Sequence, residues 1–334
     1  ARRASINRTT HTENPLLDRL TAFWADHFSV SAKSNLHRPA HPAFVDEAVR
    51  PHIAGRFSDM LRAVTTHPLM IQYLDQHISV GPNSRTGLNH DRGMNENLAR
   101  EILELHTLGV GSGYTQADVT EFAELLTGLS IRDGAFKFKP HIAEPGGETV
   151  LGREYGGAYR ANLADILTAV DDLAQRPETA AHIARKLAVH FTSDTPDITM
   201  IAAMKAAYLD SGGALQPMYQ AMLDHPFAWD SFGQKVKQPV DFVTSSLRAL
   251  AIPVRSIDRL NPTKLRSYIG GPLSAMGQPM FRPSGPDGWP EAAEDWVTPQ
   301  GLAARLQWSM AVPSAFYRSL PDPRDFLVTA LAEA

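Results

Sequence analysis

The chain reads as a mainly α-helical protein. The expected form is one large multi-helix domain over residues 1–334, orthogonal or bundle-like, with a small β-hairpin insert at 130–156 and a Gly/Pro-rich loop at 270–299. Three observations predict this. Apolar residues recur at helical spacing along most of the chain. Alternation of period two is confined to one place, where Phe136 and Phe138 alternate with Lys137 and Lys139. Hydrophobic residues make up 43% and charged residues 20% of the 334, enough apolar material for a sizeable core and too much for a chain disordered throughout.

Taken in order, residues 15–28 place Leu16, Leu20, Phe23, Trp24 and His27 on one helical face, with Pro15 suited to the first turn. Helices follow at about 43–50, 56–66 and from Pro68 to about Asp75, separated by Pro51 and by His67-Pro68. Residues 79–93 are rich in Gly, Asn and Ser and read as a loop. A helix covers about 95–108 and stops at Gly109. The next starts at Thr115, where Thr115-x-x-Asp118 resembles a capping box, and stops at Gly128. The insert comes next. Helices resume at about 160–175, 178–191, 197–210, 214–224 and 239–250. The loop at 270–299 holds eleven Gly and Pro, and a final helix takes about 300–311. One near-repeat, Met60-x-x-Ala63-x-x-x-His67-Pro68 against Met218-x-x-Ala221-x-x-x-His225-Pro226, reads as two helices that end alike.

Composition excludes several functions. Cysteine is absent, which removes disulfides, thiolate nucleophiles and cysteine-ligated metals. With 32 Lys+Arg against 36 Asp+Glu the net charge is -4, which argues against non-specific binding to nucleic acid or anionic membranes. No apolar run is long enough to span a membrane. The start, Ala1-Arg2-Arg3-Ala4, lacks an initiator Met and an apolar leader, so a fragment or a processed form is expected. No cofactor motif is present: Gly109-Val110-Gly111-Ser112-Gly113 lacks the phosphate-loop Lys and follows a helix, and there is no Gly-x-Ser-x-Gly.

The helix at 95–108 carries the first candidate chemistry. Met94, Leu98, Ala99, Ile102, Leu103 and Leu105 form an apolar arc, with Asn95 and His106 inside it and Glu101 at its edge. Glu96, Arg100 and Glu104 share the opposite face at i,i+4 spacing, either as a salt-bridge ladder or as acid–base groups. His27 also lies in an apolar arc. A histidine there needs partners for its ring nitrogens, and burial favours its neutral form, which serves as base or ligand or simply as a satisfied core residue. No His-Glu-x-x-His occurs, and Glu101, Glu104 and His106 do not share a face, so no metal ligands are assigned. His182, Lys186 and His190 form a stripe suited to an anionic group or to ordinary packing. In the late loop Phe281, Trp289 and Trp296 suit stacking on sugar rings or capping of a core.

Several stretches carry a resemblance: FWADHF at 23–28, Ser79 to Ser84, NENLAREILELHTLGV at 95–110, GYTQADVTEFAELLTG at 113–128, EPGGETVLG at 144–152, HIARKLAVHF at 182–191, and GQPMF and GPDGWP in the late loop. Together they resemble the bacterial family catalogued as domain of unknown function 1800, over nearly the whole chain. The resemblance implies a largely helical bacterial protein and a missing N-terminal part. It also implies an exported or periplasmic setting and a candidate partner from a neighbouring exported, sulfatase-like family. The family carries no settled activity, so the resemblance implies no mechanism. His27, Asn95, Glu96, Asn97, Arg100, Glu101, Glu104, His106, Tyr114, Gln116 and Asp118 fall on its motifs. The chain departs from the pattern at Leu129, where Trp is usual, and at Ala143, where His is usual, His141 lying two residues earlier.

Two functions are expected from these residues. The first is an envelope-associated hydrolase or lyase acting on a polysaccharide-like polymer or a small molecule. His27 or His106 is its base and Glu101 or Glu104 its acid. Asn95, Arg100, Lys186, His190 and Trp289 contact substrate. The second is a non-catalytic scaffold or partner-binding protein with a buried polar network. A third reading is a metal-dependent enzyme built on the histidines.

Overall fold

The computed structural model describes residues 2–31, 40–89, 93–157 and 160–316, together with Asp322, Arg324 and Val328. The described chain is mainly α-helical, with two small antiparallel hairpins. It divides into two compact units. One comprises Leu20–Phe232 and Ser284–Gly288. The other comprises Ala1–Arg19, Gly233–Pro283 and Trp289–Ala334.

The larger unit is built around aromatic residues of the helix Pro15–His27. Trp24, Phe28 and Phe57 are sealed from solvent, with Trp24 and Phe57 ring centroids 5.5 Å apart and Phe28 and Phe57 stacked at 6.0 Å. The Trp24 indole N–H donates to the Tyr219 hydroxyl at 2.6 Å, giving a buried donor the partner it requires. The helices Phe57–Thr66 and Leu215–Asp224 end at His67 and His225, both in extended backbone conformation. Each imidazole Nδ1 then accepts an N–H two residues on, from Leu69 at 3.1 Å and from Phe227 at 3.3 Å. The near-repeat is therefore a shared way of ending one helix and starting the next.

The helix Gln116–Leu125 has the full capping box. Thr115 Oγ1 accepts from the Asp118 N–H and the Asp118 carboxylate accepts from the Thr115 N–H. Gly128, where that helix was expected to stop, is left-handed at φ 93°, and a Cβ on it would lie 2.6 Å from the Phe138 ring. The insert is two hairpins. Strand β1, Leu129–Arg132, pairs with β2, Ala135–Phe138, and β3, Gly147–Val150, pairs with β4, Arg153–Gly156. Phe136 thus faces Ile131 and not the later strand. Left-handed Asp133-Gly134 and Leu151-Gly152 close the two turns. The helices Leu163–Ala174, Pro177–Phe191 and Ile198–Asp210 complete this unit.

The smaller unit has its own core of Ile6, Val243, Leu247, Ile257, Ile269, Leu273 and Trp308. It contains the helices Pro239–Ala249 and Pro299–Ala311, close to their expected bounds. It also contains Arg2–His11, a helix with only Ile6 and Thr10 buried and so almost no periodic signal. Tertiary contacts hold that helix: Asn7 Nδ2 donates to Asp258 Oδ1 at 2.7 Å and His11 Nε2 meets the Ile252 carbonyl at 2.6 Å. The segment 270–299 is not all loop. Gly271–Ala275 and Ala293–Trp296 are helical, the first because Pro272 stands in a first turn, where its missing N–H is no loss.

Candidate active site

The helix starting at Asn97 does not continue as an α-helix. Asn97–Glu101 is α, and Ile102–Thr107 is π-helical, with i to i−5 bonds such as Leu108 N–H to the Leu103 carbonyl at 3.0 Å. Thr107 Oγ1 adds a bond to the Ile102 carbonyl at 2.6 Å. The segment stops at Gly109, left-handed at φ 90°, as expected from the sequence. Widened turns of this kind collect at functional sites.

A helix leaves its last carbonyls without internal partners. Here two imidazoles take them. His27 Nε2 lies 3.1 Å from the His106 carbonyl, and His182 Nε2 lies 3.1 Å from the Leu105 carbonyl. A carbonyl only accepts, so both nitrogens carry the proton. The rings of His106 and His182 each lie 6.1 Å from that of His27. Nδ1 of His27 and Nδ1 of His106 are buried with no partner. Burial, with the nearby Lys186 charge, lowers His27 well below an ordinary imidazole, His106 to about 3 and His182 to about 4. At neutral pH all three are uncharged.

His27 and His106 are closed into the interior, 2% and 1% exposed. Lys186 follows His182 by one turn and is half-buried. His190, next on the stripe, packs its ring on Phe23 at 5.3 Å and on Phe191 at 5.0 Å. Asn95 staples the entry to the helix: its backbone N–H donates to Ser79 Oγ, its side-chain amide donates to the Leu74 carbonyl, and its Oδ1 accepts the Asn97 N–H. Trp289 belongs to the smaller unit, its ring 6.3 Å from that of Trp296.

The carboxylates lie nearer the surface. Arg100 bridges Glu96 at 3.0 Å and Glu104 at 3.4 Å, so the ladder forms, and Gln116 and Thr120 also donate to Glu96. Glu101 stands outside the ladder. It is half-buried, and burial, then the negative charges of Glu104 and Asp287, push it up to about 7. Tyr73 is raised as well, by burial and by Glu101 and Asp287. The Tyr114 hydroxyl bonds Glu104. Glu101, Glu104, Asp287, Tyr73 and Tyr114 therefore come together around the start of the widened turn.

Asp287 and Tyr73 were not singled out in the sequence. Asp287 arrives on the segment Ser284–Gly288, far along the chain, inside the GPDGWP stretch, which by itself gives the carboxylate no role. The signal was the small residue beside it. Gly288 has φ 84°, and a Cβ there would lie 2.7 Å from both the carbonyl and Oδ2 of Asp26. Only glycine lets the segment approach Asp26 this closely.

A second carboxylate group was also missed. Side-chain oxygens of Glu121, Glu124 and Glu148 lie within 4.8 Å of one another. Among the described residues this is the one trio of metal-ligating types so spaced, and the histidines form none. Burial first, then hydrogen bonds with Glu124 and Glu121, raise Glu148 well above the usual carboxylate range, so a shared proton relieves the repulsion. Nearby, Glu144 accepts from the backbone N–H of Asn83 at 2.9 Å and from its side-chain amide at 2.6 Å. Ala143 is buried, and His141 is exposed and holds Thr86 through its backbone carbonyl.

The fold and site define a mainly helical protein with a raised, half-buried carboxyl at the start of a widened helical turn, whose carbonyls meet neutral histidines. The chain belongs to the family described as protein of unknown function (DUF1800), whose model matches residues 1–334. No curated protein and no solved structure matches it. Among the described residues no helix is long and apolar enough to cross a membrane.

Proposed function

We propose that the chain is an acid–base enzyme, a hydrolase or lyase acting on a polysaccharide-like polymer, with its chemistry at Glu101. The observation that carries this reading is Glu101 itself, half-buried beside Glu104 and Asp287 and titrating near 7. A carboxyl tuned toward neutrality by burial and like charges suits proton transfer at neutral pH. In hydrolysis, protonated Glu101 gives its proton to the leaving glycosidic oxygen while Asp287 takes one from the attacking water. Arg100 and the Tyr114 hydroxyl fix Glu104 beside them. His27 and His106 are buried and do not themselves meet the polymer.

The test is a panel of neutral, acidic and amino-sugar polymers. New reducing ends report hydrolysis, and an ultraviolet-absorbing unsaturated sugar reports elimination. Glu101→Gln is expected to abolish turnover with the fold intact. Full activity in both Glu101→Gln and Glu104→Gln overturns the reading.

A second reading, a partner-binding scaffold, is favoured by His27 and His182, which bind backbone carbonyls as packing residues do. It expects no turnover on any polymer and changes in binding only where stability changes.

A further inference from the structure

We propose that His27 and His182 are positioning residues: they hold the widened turn Ile102–Thr107 open, and through it keep Glu101 and Glu104 in register with Asp287. The proposal rests on the reading of Glu101 as the acid, but its test needs no turnover.

The segment has one device of its own that favours π geometry, the Thr107 Oγ1 bond to the Ile102 carbonyl at 2.6 Å. Its sequence, Ile-Leu-Glu-Leu-His-Thr, contains no proline or glycine to force a kink. In an α-helix the Leu108 N–H would reach the Glu104 carbonyl, yet it bonds Leu103 at 3.0 Å. One extra residue in the turn rotates the residues after it by about 100° relative to an unbroken α-helix. Two further donors arrive from outside the segment. His27 ends the helix Pro15–His27 and takes the His106 carbonyl. His182, on the helix Pro177–Phe191, takes the Leu105 carbonyl. Both carbonyls lie in the widened turn, and both donors are fixed by their own helices. Gly109 completes the clamp, since a Cβ on it would lie 2.8 Å from His182 Nδ1.

The clamp acts on the site because the widened turn begins directly after Glu101 and contains Glu104. If the turn closes to α geometry, the angle between the two glutamates changes by tens of degrees, and Glu104 leaves the Tyr114 hydroxyl. The histidines contact no substrate. They act through the backbone they bind.

The experiment compares His182→Gln and His27→Gln with the corresponding Asn and Ala variants, in the full chain. A glutamine amide reaches about as far as Nε2 and donates as it does, an asparagine amide reaches only as far as Nδ1, and alanine donates nothing. Two readouts are taken: the Glu101 titration by carbon-13 NMR of its carboxyl, and hydrogen exchange of the Leu108 amide. The Gln variants are expected to keep Glu101 titrating near 7 and Leu108 protected. The Ala and Asn variants are expected to move Glu101 toward an ordinary carboxylate and to speed Leu108 exchange at least about tenfold, the effect of losing about 1.4 kcal/mol of local protection. Ala variants that fold with both readouts unchanged overturn the proposal. So do Gln variants that lose both as fully as Ala. If an Ala variant does not fold, the Gln and Asn variants decide by the same criteria. A wild-type Glu101 that titrates as an ordinary carboxylate overturns the function reading instead, whatever the clamp does.

Discussion

Gly288 sits against Asp26 so closely that a Cβ on it would fall 2.7 Å from the Asp26 carbonyl oxygen. This approach brings Asp287, the residue before it, within electrostatic reach of Glu101 and Tyr73. Gly288→Ala adds a methyl where backbone cannot give way and imposes a side chain at φ 84°. The expected cost is about 1–3 kcal/mol. The larger effect is on chemistry: with Asp287 displaced, one of the like charges that raise Glu101 is gone. Glu101 should titrate lower in Gly288→Ala, measured by carboxyl NMR, and polymer turnover should fall with it. An unchanged Glu101 titration rules out Asp287 as its neighbour.

Glu101 also predicts an unusual gain in stability. Its folded value, about 7, lies above the unfolded carboxylate value of 4.5. Below pH 4.5 the group is protonated in both states and has no effect. As pH rises toward 7 the unfolded state releases the proton while the folded state keeps it, so the folded protein loses relative stability. Glu101→Gln removes that loss. Its unfolding free energy, measured by denaturant, should equal wild type at pH 4 and exceed it at pH 8, by about 1–2 kcal/mol after discounting for the group's partial exposure. A variant less stable than wild type at pH 8 contradicts this.

How much of the site was legible depends on which interactions are local. The Thr115–Asp118 capping box, the Glu96–Arg100–Glu104 ladder and the stop at Gly109 each join residues within one turn, and the sequence displays them. The burial of His27 and His106 was legible too, since both lie in apolar arcs of their own helices. The widened turn was not, because its donors, His27 and His182, sit on helices distant in sequence and the segment itself looks α-helical. Asp287 was hidden for the same reason, as was Glu148 beside Glu121 and Glu124. The helix Arg2–His11 was missed because Ile6 alone anchors it in a core. In each case the deciding contact is long-range, and periodicity carries no record of it.

The bond between Trp24 and Tyr219 offers a test of the core. Trp24 is fully buried, and its indole N–H has the Tyr219 hydroxyl at 2.6 Å. Tyr219→Phe removes the acceptor and leaves the indole N–H unsatisfied, which should cost about 1–3 kcal/mol. Trp24→Phe removes the donor and also opens space. The double variant should cost less than the sum of the two, because the polar loss is counted only once. Urea denaturation of the three variants checks this, and strict additivity shows that the bond contributes nothing.

The histidine cluster makes the larger unit acid-sensitive in a defined window. His106 and His182 have folded values of about 3 and about 4, and His27 is lowered too, against 6.5 in an unfolded chain. Above pH 6.5 none is charged in either state, so their effect is absent. As pH falls from about 6.5 toward 4 the unfolded chain binds protons that the folded chain refuses, and folding loses free energy throughout that interval. The Lys186 charge sharpens the refusal, because each imidazolium would stand beside a cation. Stability measured by denaturant at pH 7, 5.5 and 4.5 should fall at each step. His106→Leu, which fills similar space without a titrating ring, should flatten the decline between 5.5 and 4.5 even if it lowers stability at pH 7. A decline of unchanged slope places the acid sensitivity outside this cluster.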